Sequence, residues 1–331
     1  MSSFLNFFLL ITVTLLSSLH CTEVHHRVIK SSDSSSELIW NNQETMPFSE
    51  MIVSWSGQRP LHGLIKLSVS VRNNADWSPW FDYAVWGKSE QHLFNFQPYK
   101  DIDQFLKGKK STGFRVRIEG HDGASIRSLR ALHVSTTDPS THHISTEIPS
   151  KSSRILDVPP VSQIALDHPD STRICSPTST AAAVSFLLNI PQVDPLSFAE
   201  KVREQISRIY GAWALNTAQA SHTLGSAWYC YVARCSHLNQ IIDQLNEGYP
   251  VVVSIQGPIT GGARPYESGH LIVIRGYDAQ QKKILCMDPG FPDNDATYVS
   301  YNVDDFLNAW KRRKGMAYMI TKTLQHTSQR I

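Results

Sequence analysis

Cys175 is the residue whose type and position most clearly allow covalent chemistry. It begins the run CSPTSTAAAVSFLL, which has Pro177 in its first turn and predicts a helix that starts at the cysteine. Unpaired backbone N–H groups and the helix dipole lower the pKa of a thiol at such a position. Cys175 is therefore predicted to be a nucleophile, whereas Cys230, Cys235 and Cys286 do not occupy such a position.

A nucleophilic cysteine needs a base, an orienting group and a donor for the oxyanion. His270 begins the apolar strand LIVI, and Asp288 ends the next strand, KKILCMD. A hairpin turn centred on Gln280 places Asp288 opposite Ile272, on the face that carries His270, because side chains alternate along a strand. Gln163 is the available side-chain amide, so the predicted catalytic set is Gln163, Cys175, His270 and Asp288. The segment 257–268, GPITGGARPYES, predicts a mobile loop with Arg264 and Tyr266 as substrate contacts.

The elements that position these residues predict an α+β fold. Helices are expected after Cys175, at 196–211 after the cap Asp194 and Pro195, at 216–225 and at 236–248. PVVVSIQ, GHLIVIRGYD and KKILCMD then read as three strands, followed by a helix in NVDDFLNAWKRR and a last strand in GMAYMIT. Helices followed by an antiparallel sheet are typical of an α+β domain, predicted here for residues 154–322, with a tail at 323–331.

The preceding region reads as β structure. Alternating patterns in HGLIKLSVSVRN, FRVRIEG and IRSLRALHVS predict a β-sandwich at 39–136, which contains five of the eight tryptophans. Those rings are interpreted mainly as core, with a carbohydrate- or peptide-binding module as the alternative. Ser-rich residues 22–38 are predicted to be a flexible lead-in and 137–153 a linker. The pairs His25–His26 and His142–His143 are interpreted as solvated, not as metal ligands.

Residues 4–19 are strongly apolar, so residues 1–21 are predicted to be a cleaved signal peptide and the protein to be secreted or periplasmic. The alternatives are an uncleaved anchor helix or a lipid attached at Cys21. No other stretch predicts a transmembrane segment in the mature protein. The net charge of +2 argues against nucleic acid as a partner.

No cysteine or histidine spacing fits a metal site, and no cofactor is predicted. If Cys175 stays free, the three other cysteines of the mature protein allow at most one disulfide. Cys230 and Cys235 lie nearest to each other in the sequence and are the candidate pair for this disulfide. Three small buried thiols are the alternative.

The stretch from Val158 to about Ile320 resembles cysteine peptidases that trim double-glycine leaders from bacteriocins, specifically a secreted branch without a transporter. The pieces that carry the resemblance are VPPVSQ, ICSPTSTAAAVSFL, NTAQASHTLG, GYPVVVSI, SGHLIVIRGYD and MDPGF. It implies a papain-like fold with Gln163, Cys175, His270 and Asp288 as the catalytic set. SWSG (54–57) and DWSPWFDYAVWG (76–87) resemble the β-domain that precedes this peptidase in secreted bacterial proteins.

Two features depart from the family pattern: Ser176 replaces a common glycine, and the spacing between Gln163 and Cys175 is longer than in transporter-fused peptidases. Both bear on double-glycine specificity rather than on the chemistry. The predicted function is hydrolysis of a peptide or protein substrate, with a cell-wall or surface ligand for the N-terminal domain. A cell-wall amidase or transglutaminase-like acyl transferase and a non-catalytic binding protein are the alternatives.

Overall fold

The computed structural model describes residues 22–94, 100–101, 104–324 and 329–330. The predicted signal peptide, including Cys21, lies outside these residues. Within them, no helix is both long and apolar enough to cross a membrane.

The N-terminal half is built from strands. They are β1 (Thr22–Val28), β2 (Glu37–Asn42), β3 (Phe48–Gly57), β4 (Leu64–Asn73), β5 (Asp76–Trp77), β6 (Phe81–Gly87), β7 (Gln91–Leu93), β8 (Lys100–Asp101), β9 (Gln104–Ser111), β10 (Gly113–His121) and β11 (Leu129–Thr137). One sheet has the order β1-β11-β3-β9-β8 and the other β2-β10-β4-β6-β7, with β5 beside β4. Trp55 of the first sheet contacts Trp86 of the second, with ring centroids 5.9 Å apart, and both rings are buried.

The C-terminal half combines five helices with one antiparallel sheet. The helices are α1 (Cys175–Leu188), α2 (Pro195–Val202), α3 (Trp213–Leu224), α4 (Leu238–Asn246) and α5 (Val303–Lys311). The strands are β12 (Tyr229–Arg234), β13 (Val251–Gly257), β14 (Tyr266–Asp278), β15 (Lys283–Met287), β16 (Tyr298–Asn302) and β17 (Met316–Thr321), in the order β12-β17-β13-β14-β15-β16. A short strand β18 (Gln329–Arg330) returns to pair with β1. This arrangement agrees with the predicted α+β class.

The helix α1 is buried almost all round, from Ser176 to Ser185. Small residues, among them Ala181, Ala182 and Ala183, allow this close packing because they leave little side chain between helix and sheet. Ser179 Oγ donates to the carbonyl of Leu271 at 2.9 Å, and Ser176 Oγ shares a 2.9 Å hydrogen bond with the Tyr318 hydroxyl. These contacts fix the first turn of α1, and therefore Cys175, against the central strands.

The prediction of a flexible lead-in at 22–38 is wrong for residues 22–28, which form β1 and pair in register with β11. The polar side chains of this strand find partners that a single sequence does not reveal. His25 is buried and lies 3.2 Å from Asn42 Nδ2, and His26 Nδ1 lies 2.8 Å from His133 Nδ1. The interpretation of His25–His26 as solvated is therefore wrong for His25.

The predicted second helix is also shorter than expected, because α2 ends at Val202 rather than continuing to residue 211. Arg203 turns extended, with φ −59° and ψ 119°, and the backbone carbonyls of Lys201 and Arg203 accept hydrogen bonds from Gln91 Nε2. The buried Glu204 accepts the Ser207 backbone N–H instead of facing solvent on a helix. Contacts with the N-terminal half therefore replace the helical hydrogen bonds that the local sequence favours.

The two halves are joined through strands β3 and β12. Cys230 N donates to Ser56 Oγ at 2.9 Å, and Val232 N donates to Ser54 Oγ at 3.2 Å. Beside them, Arg234 and Glu50 form an ion pair with both side chains buried. Burying a charge pair demands good complementarity, so this contact holds the N-terminal sheet in a defined position against the sheet that carries the site.

Candidate active site

The structure brings Cys175, His270 and Asp288 together. Cys175 is the first residue of α1 and is half-buried, and the His270 ring beside its thiol lowers the pKa of that thiol. His270 Nε2 lies 2.7 Å from Asp288 Oδ1, which leaves Nδ1 of the ring for the cysteine. Both His270 and Asp288 are buried. A candidate nucleophile, a candidate base and an orienting carboxylate therefore lie next to each other in one group.

The register that aligns His270 with Asp288 depends on a β-bulge. Near the turn, Asp278 pairs with Lys283 and Gly276 with Leu285, a register that would place Asp288 opposite Val273. An irregularity between Ile274 and Gly276 shifts the pairing by one residue, so that Val273 pairs with Met287 and Asp288 follows at the level of Ile272. A one-residue slip moves a side chain to the other face of a sheet. The predicted alignment is therefore present, although the bulge rather than the turn produces it.

The carboxylate of Asp288 accepts four hydrogen bonds. Oδ1 accepts from His270 and from the Gly290 backbone N–H at 2.8 Å, and Oδ2 accepts from the hydroxyls of Tyr266 at 2.8 Å and Tyr301 at 2.6 Å. A Cβ atom at Gly290 would lie 3.1 Å from Asp288 Oδ1, so a glycine suits this close approach. The four donors stabilise an ionised Asp288 that points at His270.

Tyr266 is placed differently from the sequence-based prediction. Its ring is buried and stacks on the His270 imidazole, with centroids 4.1 Å apart and an angle of 11°, and its hydroxyl is held by Asp288. The prediction that Tyr266 contacts substrate is therefore wrong in this structure, because the side chain supports the base from behind. Arg264 is exposed and donates to the Thr172 carbonyl at 3.3 Å, next to the segment that leads into Cys175.

Gln163 lies beside this group but points its amide nitrogen at a backbone carbonyl. Nε2 donates to the carbonyl of Ser171 at 2.7 Å, while Oε1 is buried and takes no hydrogen bond from the described residues. The Gln163 backbone N–H donates to the Pro289 carbonyl at 2.9 Å, which ties it to the segment following Asp288. Gln163 therefore connects the segment that precedes the nucleophile with the segment that follows the carboxylate.

The electrostatics favour a thiolate and an imidazolium. Burial raises the pKa of the Cys175 thiol, but the hydrogen bond and charge of His270, with the N–H groups of Leu271 and Ser176, lower it below the ordinary thiol value. Burial lowers the pKa of His270, but the charge and hydrogen bond of Asp288 outweigh it and raise that pKa to about 9. Burial opposes ionisation of Asp288, yet its partners, His270 first, hold its pKa below the ordinary value.

The same shifts define how the pair contributes to stability. Because the pKa of His270 is raised on folding, its protonation stabilises the folded state. This stabilisation is complete below the pKa of a histidine in the unfolded chain, about 6.5, and is lost as the pH rises through about 9. Because the pKa of Asp288 is lowered on folding, its ionisation also stabilises the folded state. This stabilisation is present above the pKa of an aspartate in the unfolded chain, about 3.9, and is lost as the pH falls through the lower pKa of the folded state. The pair therefore stabilises the fold most between about pH 4 and pH 6.5.

The other described cysteines are free and buried, and no disulfide joins the cysteines within these residues. Burial raises the pKa of Cys230 and Cys286 and raises that of Cys235 to about 12. This result favours the alternative of three small buried thiols over a Cys230–Cys235 disulfide. Among the described thiols, only Cys175 has a lowered pKa.

We expect Cys175 to react with iodoacetamide at about pH 6, below the ordinary thiol pKa of about 8.5, because its thiolate is stabilised. His270→Ala removes that stabilisation, so the rate at this pH should fall by on the order of tenfold or more, as each pKa unit changes the thiolate fraction tenfold. Mass spectrometry of the modified peptide measures the rate. As a control that the reagent still reaches Cys175, the rate for His270→Ala should recover near pH 9. A rate near pH 6 that is unchanged by the substitution would contradict a thiolate–imidazolium pair.

Clusters of histidine, cysteine and acidic side chains that could hold a metal ion are not found within the described ranges. The group formed by Cys175, His270 and Asp288 has two further members. Tyr301 and Gly290, which the sequence reasoning missed, complete it. The only sequence signals for them were the glycine after Asp288–Pro289 and the alternating pattern of the short strand β16.

A comparison with models of known protein families matches the C-terminal half. The model of the Peptidase_C39 like family matches residues 155–318, a range that includes Cys175, His270, Asp288 and Gln163. This match supports a C39-like cysteine peptidase domain in that part of the chain. A comparison with curated proteins finds no match.

Proposed function

We propose that the domain at residues 154–322 is a papain-like cysteine peptidase of a secreted branch of its family, and that it hydrolyses peptide bonds. The observation that carries this proposal is the grouping of Cys175, at the start of α1, with His270, which is hydrogen-bonded to Asp288. The match of residues 155–318 to the Peptidase_C39 like family supports the same chemistry.

In the proposed mechanism, the Cys175 thiolate attacks the carbonyl carbon of the scissile bond. The tetrahedral intermediate collapses, the C–N bond breaks, and His270 gives its proton to the departing amine. A thioester then joins the acyl half of the substrate to Cys175. His270 takes a proton from a water molecule that attacks this thioester, and collapse of the second intermediate releases a carboxylate and restores the thiolate. Asp288 keeps the ring oriented throughout.

The proposed oxyanion donors are the Cys175 backbone N–H and Gln163 Nε2. The amide nitrogen has two protons, and one is used by the Ser171 carbonyl. The second proton is the proposed donor to the developing negative charge. Burial of the whole Gln163 side chain supports this role, because a donor in a water-poor site stabilises charge more than an exposed donor does.

Gln163→Ala should lower kcat by about 10²–10³ with a smaller effect on KM, because an oxyanion donor acts mainly in the transition state. Steady-state kinetics on a fluorogenic peptide would measure both constants. Iodoacetamide reactivity of Cys175 serves as the control, since it needs the thiolate but no oxyanion hole. A drop in that reactivity equal to the drop in kcat would instead assign Gln163 to positioning the segment before Cys175.

The loop before β14 is proposed to border the substrate cleft, with Arg264 as a substrate contact. Gly257 and Gly261 take positive φ values of 79° and 85°, which glycine adopts readily. The exposed Arg264 guanidinium, anchored only to the Thr172 carbonyl among the described residues, lies where a substrate passing Cys175 would approach. A substrate carboxylate or carbonyl is the proposed partner.

The N-terminal half is proposed to be a β-sandwich that binds a cell-wall or surface ligand, joined by a linker at 137–153 and preceded by a cleaved signal peptide. The contact of Trp55 with Trp86, and the hydrogen bond from Val53 N to the Tyr83 hydroxyl at 3.0 Å, support packing of the two sheets. The exposed side of the second sheet carries Trp77 and Trp80, each stacked with Arg115. Export would place the enzyme outside the cytoplasm.

The test of the function is a substrate profile of the full-length protein. A mixture-based peptide library and purified peptidoglycan are incubated in parallel with the protein and with its Cys175→Ala variant. We expect cleavage of peptide bonds between ordinary L-residues that the variant lacks. Release of peptidoglycan fragments without cleavage in the library would assign the cell-wall amidase alternative instead.

A further inference from the structure

A pocket lies between the two halves, away from the catalytic group. Its volume is about 490 Å³, and its lining includes five cationic side chains. The N-terminal half contributes Arg59 and Lys88, and the C-terminal half contributes Lys201, Arg203 and Arg208. None of its lining residues belongs to the catalytic set or to the loop at 257–266. The pocket is therefore a separate feature of the molecule.

The cationic side chains of this pocket outnumber the acidic ones among the described lining residues. Among the described lining residues, Glu200 is the one with a carboxylate, and its Oε1 lies 3.8 Å from His168 Nε2. Among the residues that the structure describes, none of the five cations forms an ion pair with a carboxylate. Five like charges around one cavity repel each other, and an anion in the cavity would relieve that repulsion.

Arg59 is the most constrained of these cations. Its guanidinium donates to the carbonyls of Gly87 at 3.0 Å and Lys201 at 2.9 Å and to Gln219 Oε1 at 3.1 Å, and it lies over the Trp86 ring. All three acceptors are neutral, and burial lowers the pKa of Arg59 to about 10. A partly buried charge without a counter-ion is costly, and the three hydrogen bonds hold this guanidinium in one position where it could meet an anionic partner.

Gln91 provides an independent indication of a ligand. Its side chain is 5% exposed, and Nε2 donates to the carbonyls of Lys201 at 2.8 Å and Arg203 at 3.0 Å. Gln91 Oε1 is buried and accepts no hydrogen bond within the described parts of the chain. Arg203 Nε is likewise buried and donates no hydrogen bond to these residues. Buried polar atoms are normally paired, so this pocket offers both an unused acceptor and an unused donor.

We propose that this pocket binds a small anionic molecule of about the size of a sugar phosphate, in which a phosphate or carboxylate group is next to a hydroxyl. The anionic oxygens would meet Arg59, Lys88 and Arg208, and the hydroxyl would donate to Gln91 Oε1. A volume of about 490 Å³ exceeds what a bare anion needs and falls in the range of small-molecule sites. The site goes beyond peptide hydrolysis and does not depend on it.

Binding is tested by isothermal titration calorimetry on the full-length protein with glucose 6-phosphate, glucuronate, inorganic phosphate and glucose. We expect glucose 6-phosphate or glucuronate to bind, glucose not to bind, and inorganic phosphate to bind at least about tenfold more weakly than the better sugar anion. The two sugar anions distinguish a phosphate site from a carboxylate site. Glucose binding equally well, inorganic phosphate binding equally well, or no binding by either sugar anion would each overturn the proposal.

Variants locate the binding in this pocket. Lys88→Gln with Arg208→Gln changes two exposed side chains, so the fold is kept, and binding should weaken by about tenfold or more, as expected for two charge contacts. Lys151→Gln with Lys282→Gln removes two exposed charges outside the pocket and should leave binding unchanged. If Lys88→Gln with Arg208→Gln binds the sugar anion as tightly as the wild type, the assignment of binding to this pocket is overturned. Arg59→Gln does not decide the question, because it also alters the contact between the halves.

Discussion

Replacing Cys175 with alanine will reduce the rate of peptide hydrolysis by on the order of 10⁴-fold or more. The Cys175 thiol is the only group in the described site that combines partial exposure, a lowered pKa and a neighbouring base, His270. Without it, no thioester forms, and His270 and Asp288 have no nucleophile to activate. Initial rates on a peptide identified by the substrate profile measure the effect.

Cys235→Ala is the matched control for this substitution. Cys235 is buried, burial raises its pKa to about 12, and it lies outside the catalytic group. Its replacement should cost a small amount of stability and leave the rate within about twofold, because it removes one buried sulfur atom. Full hydrolysis by Cys175→Ala, or loss of hydrolysis by Cys235→Ala in a folded protein, would mean that another group is the nucleophile.

The second large effect is expected for Asp288→Ala. The substitution leaves His270, Tyr266, Tyr301 and the Gly290 N–H without their common acceptor in a buried site. We expect the free energy of unfolding to fall by about 3–5 kcal/mol, as when one partner of a buried ion pair is removed. The activity should fall on the order of 10⁴-fold, because the ring loses the group that orients it. Urea unfolding and initial rates measure the two effects.

Two milder substitutions separate stability from catalysis at this carboxylate. Tyr301→Phe removes a single hydrogen bond to the ionised group, so it should cost about 1.5–3 kcal/mol of unfolding free energy and only a small part of the activity. Asp288→Asn keeps an acceptor for His270 and should be intermediate in both measurements. Asp288→Ala with wild-type activity in the folded state would show that His270 works without an orienting acid.

The arrangement of the nucleophile was predictable because its signals are local. Pro177 and the small residues that follow Cys175 predict a helix beginning at the cysteine, and α1 begins there. The apolar strand after His270 and the strand ending near Asp288 are equally local, and both are present. The relative placement of His270 and Asp288 was predicted correctly, but the bulge between Ile274 and Gly276 that produces it leaves no clear mark in the sequence.

The features that sequence reasoning missed depend on contacts between distant segments. Tyr266 was expected to meet substrate, yet its hydroxyl is held by Asp288, 22 residues away. The strand β1 reads as polar, yet its His25 is buried beside Asn42 of the other sheet, and its His26 contacts His133 of β11. Similarly, α2 ends early because Gln91 takes the carbonyls at its end. Such partners can be identified only when the tertiary structure is known.

The central claim is that Cys175 carries the acyl group during turnover, and trapping that intermediate tests it most directly. The protein is mixed with an excess of a cleaved peptide, quenched in acid within the first turnovers, digested and analysed by mass spectrometry. The account predicts that the acyl half of the substrate is found on the fragment containing Cys175, and that His270→Ala forms less of it. An acyl group on any other residue, or hydrolysis at full rate with Cys175 replaced, would contradict the account.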